Sequence, residues 1–369
     1  MRYKRLMSQR RYALEQQREE RDGLVLRRFG PPSPASVRHR RFMRATIYPT
    51  VAAFRPTSRG VVFGRRLLGA PAPPLRGTKL DRTKVGGVPV EWTRAPRAHE
   101  VDPHQRVVLY LHGGGFVIGS PATHRNLASR ISQVLSTPVV SVDYRMVPEG
   151  SIQTCQSDCL DAYRGLLDEG YPPEAILVAG DSAGGNLAAY VSLAAQEQGL
   201  PQPAGLILLS PWTDLGDGGP SRQSNAKTEF FIAGTVLDRI ARALVPDPAE
   251  RADWHNSPLH ASPEQLAALP PTLIQVGDAE VLLDDGVDLA HRIGAAGGRV
   301  ELQTYEGQGH VVPMWMANPE ARRALKEMAG WVREIFPDER DPQAPSDEVI
   351  RDAVEQPSGL PGPAGSLPA

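Results

Sequence analysis

Ala175-Ile176-Leu177-Val178-Ala179-Gly180-Asp181-Ser182-Ala183-Gly184 is the stretch that decides how the rest of this chain is read. A short apolar run bounded by glycine has the length and composition of a strand buried on both faces. The Ala/Leu-rich stretch that follows, Ala183 to Gln198, has the composition of a helix. Ser182 is thereby placed on a sharp strand-to-helix turn, with Gly180 and Gly184 on either side where a nucleophile elbow leaves little room for side chains. A helix starting beside the serine points its positive end at any anion that develops there. The G-x-S-x-G pattern alone is weak in a chain with 35 glycines, and its position between strand and helix is what sharpens it.

Upstream, the run Val107-Val108-Leu109-Tyr110-Leu111 ends in His112-Gly113-Gly114-Gly115-Phe116. Glycines let the backbone approach a substrate and turn its N–H groups outward. Two amides from Gly113, Gly114 and Gly115, with the N–H of Ala183, are expected to hold the oxyanion formed when a serine attacks a carbonyl. His112 opens this loop and is read as fixing its shape, not as the base. Together the two segments predict a serine hydrolase.

A base and an acid are then required. With the nucleophile on such an elbow, the chain order is serine, acid, histidine. Beyond the run Thr272–Val276 only His291 and His310 remain. His291 falls inside a helical stretch, whereas His310 closes Glu306-Gly307-Gln308-Gly309-His310, just past the last apolar run, and is expected to be the general base and acid. The acid is sought in Gly277-Asp278-Ala279-Glu280-Val281-Leu282-Leu283-Asp284-Asp285. Glu280 is the first candidate and Asp278 the second. Asp284 is a third, although it and Asp285 also suit the first turn of the next helix.

Around these motifs strands and helices alternate. Thr83–Val85 and Val88–Trp92 predict a hairpin turning on Gly86-Gly87. Further apolar runs lie at Val139–Val142, Gly205–Leu209, Thr272–Val276 and Val300–Tyr305, and helical stretches at Asp284–Ala296 and Asn318–Ile335. Repetition of strand, helix, strand implies an α/β fold with a parallel sheet and right-handed crossovers. Both chemical motifs lie at carboxyl ends of strands, where such sheets bind ligands. Residues 1–76 and the insertion 211–258 do not fit the repeat and are expected to pack together, at least in part, as a cap over the site. Residues 77–336 form the catalytic domain, and 337–369, acidic and rich in Pro and Gly, are expected to be a disordered tail.

Composition narrows the classes of function. The 369 residues carry a formal charge of −1, which gives no global attraction to nucleic acid or membrane. The charge is unevenly spread, with 15 Lys/Arg against 4 Asp/Glu from Met1 to Arg59. Cys155 and Cys159, four apart in a helical stretch, read as buried free thiols. We find no CxxC, HExxH, P-loop or strand-linked GxGxxG, and we expect no metal, nucleotide or flavin. Lacking an apolar run near 20 residues, the chain is expected to be cytoplasmic, without stable membrane insertion.

In combination, HGGGF at 112–116, Asp143-Tyr144-Arg145-Met146-Val147-Pro148-Glu149 and GDSAGGN at 180–186 resemble the hormone-sensitive-lipase-like (bacterial family IV) carboxylesterases of the α/β-hydrolase superfamily, over roughly residues 77–336. The resemblance implies an eight-stranded, mostly parallel sheet with helices on both faces and a helical cap. It also implies hydrolysis of short or medium acyl esters of small molecules without a cofactor. The family's nucleophile, oxyanion glycines and histidine map onto Ser182, Gly113–Gly115 and His310. Its D-x-L-x-D-E segment aligns with Glu280-Val281-Leu282-Leu283-Asp284-Asp285, so that glutamate replaces the usual aspartate. Gly150-Ser151-Ile152-Gln153 departs from the family's Pro- and aromatic-containing stretch. Edge pairing of the last strand is the implied route to a homodimer. The same machinery would serve an N-acyl amidase or deacetylase. A non-catalytic ligand-binding relative, of the kind found among plant gibberellin receptors, lacks the catalytic histidine that His310 supplies here.

Overall fold

The computed structural model describes residues 16–21, 23–99 and 106–336. Its strands are β1 (Gln16–Arg21), β2 (Leu24–Phe29), β3 (Lys79–Val85), β4 (Val88–Arg94), β5 (Val107–Leu111), β6 (Val139–Val142), β7 (Ile176–Asp181), β8 (Gly205–Leu209), β9 (Thr272–Gly277) and β10 (Val300–Tyr305). The longer helices are α1 (Pro34–Ala52), α2 (Ser58–Leu68), α3 (Pro121–Leu135), α4 (Ile152–Asp168), α5 (Ala183–Glu197), α6 (Gly234–Leu244), α7 (Leu283–Ala295) and α8 (Pro319–Ile335).

Strands pair in the order β1-β2-β10-β9-β8-β7-β5-β6-β4-β3. Pairing is parallel from β2 through β6 and antiparallel at β1, β4 and β3. Alternate side chains of β5 feed two cores: Val107, Leu109 and Leu111 pack with residues of α4, α5 and α7, whereas Val108 and Tyr110 pack with residues of α3 and α8. Burial of both faces is why the central strands are apolar without alternation. Capping boxes at Ser120/Thr123 and Ser151/Thr154 start α3 and α4 where their strands have ended.

The hairpin is registered Val85 to Val88, with Gly86 and Gly87 at φ +57° and +79°. A Cβ on Gly86 would lie 1.9 Å from the Asp161 carbonyl oxygen, whereas one on Gly87 would meet nothing within 4 Å. Gly86→Ala is therefore expected to lower stability by about 2–4 kcal/mol, and Gly87→Ala by about 1 kcal/mol, which pays only the left-handed backbone cost. Urea unfolding checks this through the two midpoints at unchanged m.

Two expectations are corrected here. The sheet holds ten strands, not eight, because β1 and β2 of the basic N-terminal region extend it. Arg27 on β2 was part of that basic signal, yet it is neutralised by Glu301 on β10 (3.1 Å) and Glu327 on α8 (2.6 Å). In consequence β10 is not an edge: β2 lies parallel along it, register Val300 to Leu24 through Tyr305 to Phe29, and occupies the side expected to pair in a dimer. Helix α1 lies instead against the insertion, and α2 lies against the loops after β5 and β6, where Arg65 donates to the Val117 (2.8 Å) and Val147 (3.1 Å) carbonyls. Arg239 of α6 donates to the carbonyls of Ala52 (2.8 Å) and Phe54 (2.7 Å), and Arg44 of α1 donates to the Ala226 carbonyl (3.2 Å). The acidic tail 337–369 lies outside the described residues.

Candidate active site

Ser182 occupies the turn between β7 and α5 at φ 55°, ψ −120°, a strained conformation for any side chain but glycine. Its amide donates to the Leu209 carbonyl (2.9 Å) and its carbonyl accepts from Trp212 N (3.0 Å), so neighbouring strands hold the strain in place. Flanking glycines are required by contact: a Cβ on Gly184 would lie 1.9 Å from the Leu111 oxygen, and one on Gly180 would lie 2.1 Å from the Gly184 oxygen.

His310 lies in the loop after β10 and lines the same cavity as Ser182, a space of about 820 Å³. Two bonds fix its backbone. Val311, left-handed at φ 56°, donates its amide to Ser210 Oγ (2.9 Å), and Trp315 Nε1 donates to the His310 carbonyl (2.7 Å). Ser210 follows Leu209, the residue that holds the Ser182 amide, so histidine loop and elbow are tied to one strand end.

Of the three candidate acids, the fold brings Glu280 to the imidazole, with Oε2 2.9 Å from Nδ1 and both side chains buried. Its Oε1 accepts from the Gly277 amide (3.1 Å). An ionised carboxylate only accepts, so Nδ1 carries the proton and Nε2 keeps its lone pair. Asp278 instead accepts from Gly307 N (2.6 Å), and Asp284 accepts from Ser221 N at the base of the insertion (2.6 Å). Burial opposes charge on His310, but the Glu280 bond and charge, with Glu229 and Asp181 adding, leave its pKa above 6.5.

The oxyanion loop needs one revision. Gly113 is not free to donate, because its amide is engaged by Asp181 Oδ1 (3.0 Å). Gly114 and Gly115 line the cavity beside Ser182. Ala183 is the first residue of α5, so its amide has no acceptor within the helix. These three are the candidate donors to an oxyanion. His112 is fully buried, bonds the Gly113 carbonyl through Nδ1 (2.8 Å) and stacks on Tyr144 (4.3 Å). Burial pushes its pKa down to about 3, which keeps it neutral as a brace for the loop.

Sequence reasoning missed two groups. Asp181, next to the nucleophile, also accepts from Tyr110 Oη (2.6 Å) and faces His124 Nε2 (3.5 Å). Burial opposes its ionisation, yet His124, Tyr110 and the Gly113 amide hold its carboxyl below the usual range. Glu229, in the insertion, is fully buried and accepts from the amides of Phe230 (2.6 Å), Phe231 (2.8 Å) and Val281 (3.2 Å). It thus fastens the insertion to the Glu280 loop, and Phe231 lies parallel to the His310 ring at 6.4 Å. Asp181 lay inside a motif already noticed, so its position could have flagged it; Glu229 carries no local signal.

The Glu229 carboxyl is raised to about 7 by burial, with His310 opposing and Glu280 adding to the rise. Its unfolded value near 4.5 means the folded state holds an extra proton between those pH values, so this group's contribution to stability falls as pH rises through that window. Glu229→Gln is expected to flatten that part of the stability profile. Because Glu229 also supports the charge on His310, the same variant should move the acid limb of kcat/KM to lower pH. Urea midpoints and initial rates from pH 5 to 9 measure both.

The alpha/beta hydrolase fold family matches residues 108–314. Carboxylesterase/phospholipase LipF of Mycobacterium tuberculosis is 34% identical over 268 residues, 72% of each chain. An acetyl-hydrolase of Streptomyces hygroscopicus is 35% identical across 69% of this chain and 82% of its own. Among solved structures, EstE5 superposes with a TM-score of 0.74 at 31% identity, covering 83% of this chain and all of EstE5. An esterase from the bacterial hormone-sensitive lipase family gives 0.72 at 34% identity, again over 83% of this chain and all of that one.

Proposed function

The chain belongs to the hormone-sensitive-lipase-like ester hydrolases of the α/β-hydrolase fold, and from that membership we propose that it hydrolyses short-to-medium acyl esters through an acyl-enzyme on Ser182. The observation that carries the assignment is the buried 2.9 Å contact between Glu280 and His310 Nδ1, in a loop tied to the strand end that also holds the Ser182 elbow.

His310 Nε2 accepts the Ser182 proton as Oγ attacks the ester carbonyl. Charge on the former carbonyl oxygen is met by the amides of Gly114, Gly115 and Ala183, each such donor being worth about 3–4 kcal/mol in the transition state. The imidazolium, stabilised by Glu280, returns its proton to the departing alkoxide, which leaves as the alcohol. Water then loses a proton to His310 and attacks the acyl-enzyme, and collapse of that second adduct releases the acid and restores the serine. We assign α1, α2 and residues 211–258 as the cap. Together with Phe54 between the two helices, their apolar contributions to the cavity wall, Phe63, Leu67, Ile232, Val236 and Ile240, suit an acyl chain.

A p-nitrophenyl ester series from acetate to laurate, with matched anilides, tests the reading. Turnover is expected to be highest on short-to-medium esters and far slower on anilides. Ester turnover absent throughout, together with no fluorophosphonate adduct on Ser182, overturns it.

A further inference from the structure

We propose that α2, with the adjoining part of α1, docks on an anionic phospholipid surface and turns the mouth of the catalytic cavity toward it. Six large apolar side chains stand exposed among the described residues. Four of them, Val62, Phe63, Leu67 and Leu68, are on α2, and Phe42 is on α1. Helix α2 buries only Val61 and Gly64, so most of its apolar surface faces outward. Scattered exposed leucines are ordinary, but four within seven residues make a patch of the kind that marks an interaction surface.

Charge identifies the partner. From Gly23 to Leu80 there are 12 Lys/Arg and no Asp/Glu. Arg27 and Arg65 are paired with glutamates, but Arg55, Arg59 and Arg66 stand exposed around the patch without an acidic partner among the described residues. An apolar face ringed by arginines, where the exposed Glu149 is already neutralised by Arg65 (2.6 Å), matches a bilayer interface carrying negative lipids. A docked helix buries its phenylalanine and leucines at the acyl boundary while the guanidinium groups reach phosphates. No helix among the described residues is long and apolar enough to cross a membrane, so the contact is peripheral.

Position supplies the second argument. Arg55, Arg59, Phe63, Leu67 and Leu68 also line the cavity that holds Ser182 and His310. The surface that would meet lipid is therefore the rim of the entrance. Docking there lets a poorly soluble ester pass from the interface into the cavity without crossing water; this delivery step, unlike the docking itself, rests on the hydrolase reading.

Binding is measured with full-length Ser182→Ala protein, which separates docking from chemistry. Co-sedimentation with vesicles of phosphatidylcholine alone is compared with vesicles containing phosphatidylglycerol, at low and high salt. Binding to the anionic vesicles is expected to be at least tenfold stronger and lost at high salt. Arg66→Glu and Val62→Asp, neither of which lines the cavity, are each expected to weaken it about fivefold or more. In the Ser182 background both variants should still hydrolyse soluble p-nitrophenyl acetate as the parent does, while losing activity on an ester embedded in anionic vesicles. Equal or absent binding to the two vesicle types overturns the docking. A parent dimer that Val62→Asp dissociates assigns the face to a second copy and overturns it too. Retained vesicle-borne activity in variants that no longer bind overturns the delivery step alone.

Discussion

Replacing Ser182 with alanine is expected to lower kcat on a p-nitrophenyl ester by a factor of about 10⁴ or more, with folding intact. The elbow strain comes from the backbone, at φ 55°, and alanine meets the same left-handed cost that serine does. The bonds that hold the turn use the Ser182 amide and carbonyl, which the substitution keeps. Only the attacking oxygen is lost. Steady-state kinetics with a far-ultraviolet spectrum and a melting curve check both halves of the statement. Near-normal turnover in a well-folded variant would show that the nucleophile is another group.

The second large effect is expected at the acid, and it discriminates between neighbours. Glu280→Gln should reduce kcat by about 10³–10⁴-fold, whereas Asp278→Asn should cost less than about tenfold. The glutamine oxygen can still accept from the Gly277 amide, but its nitrogen then faces His310 Nδ1, where the carboxylate stood at 2.9 Å. Two donors cannot share that position, so the imidazole is driven to the tautomer with its proton on Nε2. It can then no longer take a proton from the serine. Asp278→Asn, by contrast, retains a side-chain oxygen for the Gly307 amide. Paired kcat values decide between them. A larger fall at residue 278 would transfer the role there.

Ser182, Glu280 and Asp278 are all legible in the sequence, and the reason is physical. Strands β5 and β7 to β9 are buried on both faces, so each is written as an unbroken apolar run, and the catalytic motifs stand where those runs stop. Glu280 could be ranked but not chosen. Three carboxylates within seven residues differ only in where the loop turns them, and the Glu229 clamp on Val281 N that helps to set the turn lies some fifty residues upstream. The engagement of Gly113 by Asp181 was hidden in the same way, because a glycine run shows how many amides exist but not which are already bonded. Strand β2 escaped notice because Leu24-Val25-Leu26-Arg27-Arg28-Phe29 carries two adjacent charges, and Arg27 meets Glu301 and Glu327 only through the fold. Pairing between the two ends of a polypeptide leaves no mark on either end alone.

That pairing has a practical consequence for anyone shortening the gene. A version starting after Pro32 would leave the flank of β10 bare and set Glu301 and Glu327 near one another without their arginine. Such a protein should clump sideways on storage, visible as rising light scatter, and the histidine loop that follows β10 would lose its rigid footing.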